Sequence, residues 1–150
     1  MQLSEEDKNL LLRDLCGRIP YGVIIRVHIE GDNCYEGGDY NAVLDCVHVW
    51  GSVEFDYDDL LERSRWGSDS IENVKPYLRK LNSMTEEEKE KYREVKSRIL
   101  IKKGNNFVVR STAMPLYTEF LNTYHFDYHG LIEKGLAIEV TKENNPYDVK

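Results

Sequence analysis

The chain has 150 residues, 41% hydrophobic and 31% charged, enough for one sizeable core and too few for two large domains. Twenty basic against twenty-seven acidic side chains leave a net charge of -7, so nonspecific attraction to a nucleic-acid backbone is not expected. No stretch approaches the roughly 18 apolar residues of a membrane span, and Met1-Gln2-Leu3-Ser4-Glu5-Glu6-Asp7 carries acids where a secretory signal carries bases, so a cytoplasmic location is expected.

A first helix is announced by Ser4 as N-cap and by Glu5, Glu6 and Asp7 in its first turn. Leu11, Leu12, Leu15, Cys16 and Ile19 recur at helical spacing, and Pro20 stops the helix. The period then changes to two: Val23, Ile25, Val27 and Ile29 face one way and Arg26, His28 and Glu30 the other, which predicts a half-buried strand. Gly31 to Asp39 is polar and glycine-rich and reads as a loop. Strand returns over Ala42 to Trp50, and Gly51-Ser52 is a permissible two-residue turn into Val53, Phe55 and Tyr57. Asp58 to Ser70 reads as irregular. Pro76 argues against a central strand through Ile71, Val74, Tyr77 and Leu78 but allows an edge strand.

Thr85-Glu86-Glu87-Glu88 is a capping box, and the helix behind it gathers Lys96, Arg98, Lys102 and Lys103 at its far end, as the helix dipole favours. Two readings stay open for Ile99 to Arg110: helix end followed by a short strand, or a hairpin turning at Gly104-Asn105. Thr112 can cap a third helix that turns Leu116, Phe120, Leu121 and Tyr124 inward. Asp127 can cap a short helix ending at Gly135, with Leu131 and Leu136 placed for the hydrophobic contact of a Schellman motif. Ala137 to Val140 allows a last strand, and Thr141 to Lys150 is expected to fray.

The runs Lys75-Pro76-Tyr77-Leu78-Arg79, Ser83-Met84-Thr85-Glu86-Glu87-Glu88, His125-Phe126-Asp127-Tyr128 and Gly130-Leu131-Ile132-Glu133-Lys134-Gly135-Leu136-Ala137 resemble a family of small uncharacterised proteins from Bacteroides-type gut bacteria, their phages and prophages. Leu11-Leu12-Arg13-Asp14-Leu15-Cys16 and Ile19-Pro20-Tyr21-Gly22-Val23 fit the same family. The chain departs from it at Lys80, where the family often has proline, and at His129, where it often has arginine. The resemblance implies a small accessory protein of a phage or mobile element and implies no activity.

Cys16, Cys34 and Cys46 are odd in number and form no C-x-x-C pair, which argues against a disulfide framework and a cysteine-rich zinc site. His125 and His129 are the metal candidates: they stand four apart, but Asp127 as a cap breaks the helix that would align them. The acids around Asp56-Tyr57-Asp58-Asp59 lack the spacing of an EF-hand loop. Glu36-Gly37-Gly38-Asp39 puts acids where a phosphate would approach, and no G-x-S-x-G elbow is present. No cofactor is implied, and an enzyme is unsupported.

Charge is divided along the chain. Val27 to Glu62 holds ten acids and no lysine or arginine, whereas Lys75 to Arg110 holds eleven bases and five acids, a net +6. The reading this favours is a non-enzymatic protein-binding module whose acidic, tyrosine-rich β region meets a basic surface on a host or phage protein. Its candidate contacts are Tyr35, Tyr40, Trp50, Asp56, Tyr57, Asp58, Asp59 and Trp66. A homo-oligomer joining acidic to basic ends is a variant of this idea. The first alternative is nucleic-acid contact by Lys89, Lys91, Arg93, Lys96, Arg98, Lys102 and Lys103 on one basic helix, opposed by the interleaved Glu88, Glu90 and Glu94. The second is a small enzyme or metal-binding protein centred on His125 and His129. The expected fold is α+β: an N-terminal helix with a small antiparallel sheet, open or curled into an SH3-like barrel, over residues 1–82, and a mainly helical layer over 83–140 on one shared core.

Overall fold

A computed structural model describes residues 2–31, 37–58, 62–104, 106–109 and 114–148. The architecture is α+β. Helix α1 (Glu5–Arg18) starts where the sequence places it, with the Ser4 hydroxyl accepting from the Asp7 amide. It is followed by strands β1 (Ile24–Ile29), β2 (Gly38–Val47), β3 (Ser52–Asp58), β4 (Ser64–Ser70) and β5 (Val74–Leu78). Next come α2 (Glu86–Ile99), the hairpin β6 (Leu100–Lys103) and β7 (Asn106–Val109), α3 (Met114–Thr123) and the short β8 (Ile138–Glu139).

The main sheet has the order β4-β3-β2-β1-β5-β8; β8 joins β5 in parallel and every other pair is antiparallel. The sheet is therefore mixed, and it is not the SH3-like barrel the sequence allowed: its end strands, β4 and β8, do not meet. The physical reason is the cover on its inner face. Leu11 and Leu15 of α1 pack with Ile25, Val27, Leu44, Val53, Phe55, Val74 and Leu78, so the core lies between helix and sheet rather than inside a closed sheet. Each fully buried leucine there contributes about 1.5–3 kcal/mol.

Several boundaries differ from expectation. β2 begins at Gly38, inside the predicted loop, and its hairpin turns over His48 to Gly51 rather than at Gly51-Ser52: the Gly51 amide donates to the His48 carbonyl at 2.9 Å, with Gly51 at φ 96°. The supposedly irregular stretch contains β4, whose Ser, Arg, Gly and Asp content is poor in strand formers. Continuous pairing with β3 from Ser64 to Ser70 overrides that propensity. β5 lies between two strands despite Pro76, because β8 pairs only with Tyr77 and Leu78 and leaves Pro76 no ladder bond to supply on that side.

Of the two readings of Ile99 to Arg110, the hairpin is the observed one, with Gly104 at φ 61° in its turn. Lys102 and Lys103 thus belong to β6 and not to the basic helix. In α3, Phe120 and Leu121 are buried as predicted, but Leu116 is exposed; the Thr112 cap lies outside the described residues. The Asp127 to Leu136 stretch is a set of turns rather than a helix, so Asp127 is not the N-cap the sequence suggests. Its carboxylate reaches amides four and five residues on, where a cap reaches two or three, while the glycine exit forms as expected. The Asp127 carboxylate accepts from the Leu131 and Ile132 amides at 2.9 Å each, and both Schellman bonds form, Leu136 to Leu131 at 2.9 Å and Gly135 to Ile132 at 3.1 Å.

Arg79 and Tyr147 help fasten the C-terminal half to the sheet. Glu88, which closes the capping box onto the Thr85 amide, also receives both ends of the Arg79 guanidinium at 2.7 Å each. Arg79 lies over the Phe126 ring at 4.5 Å and holds Glu88 below the usual carboxylate range. The tail does not fray as expected: the Tyr147 hydroxyl donates to the Tyr77 carbonyl at 2.8 Å and accepts from the Ile24 amide at 3.0 Å.

Candidate metal centre

The β2–β3 hairpin brings together a side-chain cluster that the sequence reading did not name. Leu44 of β2 faces Phe55 of β3, and Val47 faces Val53, which requires one extra residue on β2 between them. That residue is taken up as a bulge after Leu44, which resets the alternation. Val47 returns to the core, and Cys46 and His48 project to the opposite, open face, where Glu54 is the cross-strand partner of Cys46.

Cys46 Sγ lies 3.9 Å from His48 Nε2, and His48 Nε2 lies 3.4 Å from Glu54 Oε1. One donor atom from each residue falls within 4.8 Å of the other two. Around a tetrahedral zinc ion, with bonds of about 2.3 Å to sulfur and about 2.0 Å to nitrogen and oxygen, the S–N and N–O edges measure about 3.6 and 3.3 Å. The observed separations are within a few tenths of an ångström of that frame. All three side chains are half-buried, so solvent reaches the cluster from one side. Trp50, in the hairpin turn, stacks on His48 with ring centres 4.3 Å apart and planes 15° off parallel, fixing the imidazole plane. Burial raises the Cys46 thiol above its ordinary range, and the negative charges of Glu54 and Asp45 add to that, so the metal-free chain holds a protonated thiol.

The predicted metal pair is not brought together in this way. His125 sits at φ 60°, stacks on Tyr147 at 3.8 Å and has a buried Nδ1 without a partner; burial, then the nearby Arg18 and Arg79, lower it to about 4. His129 instead bonds the fully buried Asp14 through Nδ1 at 2.8 Å. Asp14 is simultaneously the partner of Arg18.

The partner-binding candidates divide between faces. Tyr40 and Tyr57 pack together against the core side, ring centres 5.1 Å apart, and offer little free surface. Trp50 and Trp66 are 75% and 60% exposed. Val43, Asp56 and Trp66 form a row across β2, β3 and β4 on the open face, while Asp58 accepts from the Ser64 hydroxyl. Tyr35 and Asp59 lie outside the described residues. On α2, Lys89 pairs with Glu86, Lys91 with Glu87, Arg93 with Glu90 and Arg98 with Glu94, while Lys96 lies over the Tyr92 ring. The acids on this helix thus neutralise most of its bases locally.

A signal for the cluster was present in the sequence. Cys46-x-His48 puts two donors on one face of a strand, and Glu54 follows across a hairpin. What hid it was the bulge, which no residue pattern marks. None of the described helices is long and apolar enough to cross a membrane. Comparison with protein-family models, curated proteins and solved structures finds no match.

Proposed function

We propose that this protein binds a zinc-type divalent transition ion through Cys46, His48 and Glu54. The observation that carries the reading is the convergence of a sulfur, an imidazole nitrogen and a carboxylate oxygen within 4.8 Å on a two-stranded frame. A mixed soft and hard donor set of this kind suits zinc, and three protein ligands leave one coordination position for water or substrate, where the ion acts as a Lewis acid. Calorimetric zinc titration of the full chain tests it, in a background with Cys16 and Cys34 changed to serine. One site per chain is expected, with quenching or enhancement of Trp50 emission. Cobalt should give the charge-transfer absorption of a thiolate ligand, lost in Cys46→Ser. His48→Gln and Glu54→Gln should each weaken binding by about tenfold or more, while His125→Gln with His129→Gln should leave it unchanged. Absence of saturable binding, or binding indifferent to Cys46→Ser, overturns the reading.

A second reading has one specific support, the row of Val43, Asp56 and Trp66 open on the outer face. Here the chain is an accessory protein of a phage or mobile element that docks a basic partner through this row. A peptide carrying lysines and one aromatic residue should shift Trp66 emission, weaken with salt and lose binding on Asp56→Lys. No shift at low salt overturns it.

A further inference from the structure

β4 closes one end of the main sheet: β3 pairs with all seven of its residues on one side, and among the described residues no strand lies on the other. The outward N–H and C=O groups of such an edge template pairing with another strand. Proteins usually blunt them with proline, a bulge, charged residues pointing inward or a very short strand. β4 has no proline and no bulge, its register with β3 is unbroken, and its inward charges, Arg65 and Asp69, are opposite in sign about Gly67 at its centre.

The sequence of β4 is complementary to itself. Placed antiparallel against a second copy about a two-fold axis at Gly67, Ser64 faces Ser70, Arg65 faces Asp69 and Trp66 faces Ser68 of the second copy. The two-fold repeats the Arg65–Asp69 pair, so both charges of each chain meet an opposite charge. Shifting the second copy by two residues so that the axis falls at Ser68 sets Asp69 against Gly67 and loses both pairs. Arg65 and Asp69 are half-buried, which spares them part of the solvent screening. The bonds of Asp69 to the Ser70 amide and the Asn73 side chain both use Oδ1, and Oδ2 can accept the guanidinium. On the open face, Trp66 stands diagonal to the Trp66 of the second copy, within reach of an aromatic contact that covers a ring now 60% exposed.

We propose that two copies of this chain associate through antiparallel β4–β4 pairing centred on Gly67, forming one continuous sheet with reciprocal Arg65–Asp69 pairs. This is independent of the metal reading and differs from an acidic-to-basic association, since β4 carries both charges itself. A single pair of edge strands makes a small interface, so dissociation in the range of about 1–100 µM is expected.

Sedimentation equilibrium of the full chain in chelator, at low salt, tests it, and the chelator excludes a metal-bridged dimer. The apparent mass should rise with concentration from 17.6 kDa toward twice that value. Arg65→Asp and Asp69→Arg should each weaken association on the order of tenfold by setting like charges opposite each other. Arg65→Asp combined with Asp69→Arg should restore it, because the swapped pair is again complementary. Circular dichroism separates misfolding from dissociation, and the double variant provides rescue if Asp69→Arg alone folds poorly. A mass of one chain at every concentration overturns the proposal. So does a dimer that the single reversals leave unchanged, or one that the double reversal fails to restore.

Discussion

Replacing Arg18 by methionine probes the least conventional part of the core. Arg18 is fully buried, its Nε and Nη2 donate to Asp14 at 2.7 and 2.9 Å, and Nη2 also donates to the Phe126 carbonyl at 2.8 Å. Its guanidinium carbon lies 4.9 Å from the centre of the Tyr128 ring. Methionine keeps much of the aliphatic volume and removes the charge, which leaves the equally buried Asp14 with His129 as its remaining partner. Breaking a buried pair from one side costs about 3–5 kcal/mol. The surviving His129 bond places the loss at the lower end, about 3 kcal/mol, or about 10 °C in Tm for a chain of this length. Asp14→Leu should cost a similar amount, since it strands the guanidinium. The double variant removes both charges and should recover most of the loss, short by about 1 kcal/mol for the orphaned Phe126 carbonyl. Urea unfolding followed by circular dichroism measures all three. An Arg18→Met cost below about 1 kcal/mol, or a double variant no more stable than the sum of the singles, refutes the reasoning.

Three further outcomes follow from the same structure. A Cβ on Gly67 would stand 2.7 Å from Cε2 of Phe55, whose ring is packed in the core. Gly67→Ala should therefore cost about 1–3 kcal/mol instead of gaining strand propensity, and Phe55→Leu should remove most of that increment in a thermal-melt cycle. His125 is held at about 4 against 6.5 for a free imidazole, so between these values the unfolded chain binds a proton that the folded chain refuses. Stability should accordingly fall as the pH drops from 6.5 to 4, by about 2 kcal/mol after discounting for partial exposure. His125→Phe should flatten that part of the urea-midpoint profile, and an unchanged profile would assign the slope to other groups. Asp127→Ala removes the acceptor for two amides of the turn beneath it and should cost about 1–2 kcal/mol, measured by chemical denaturation, whereas Asp127→Asn should cost less.

Local chemistry was legible from residue order wherever a contact spans only a few positions. The Ser4 cap, the Thr85–Glu88 box and the Leu131–Gly135–Leu136 exit all form as read, because each closes a hydrogen bond within five residues. The alternation through β1 was equally clear, since one face of that strand is buried. The candidate site was legible only as the Cys46-x-His48 spacing. Cys46 and His48 share an outward face with Glu54 only because one extra residue in β2 resets the pleat, and the need for it comes from the core pairs Leu44–Phe55 and Val47–Val53. The basic helix misled for the opposite reason: its lysines and arginines are conspicuous as a run, but three- and four-residue spacings pair them with their own glutamates.

By itself, the sequence determined the division of charge, the starts of the first two helices and the α+β class, all of which depend on composition and short-range periodicity. Tertiary structure decided that the sheet stays open rather than closing into a barrel, because α1 occupies the face on which a barrel would close. It also decided that a polar stretch becomes the edge strand β4, and that Tyr147 anchors the tail on the Ile24 amide and the Tyr77 carbonyl. In each case the deciding free energy comes from surfaces and hydrogen bonds contributed by segments distant in the chain, which no local pattern records.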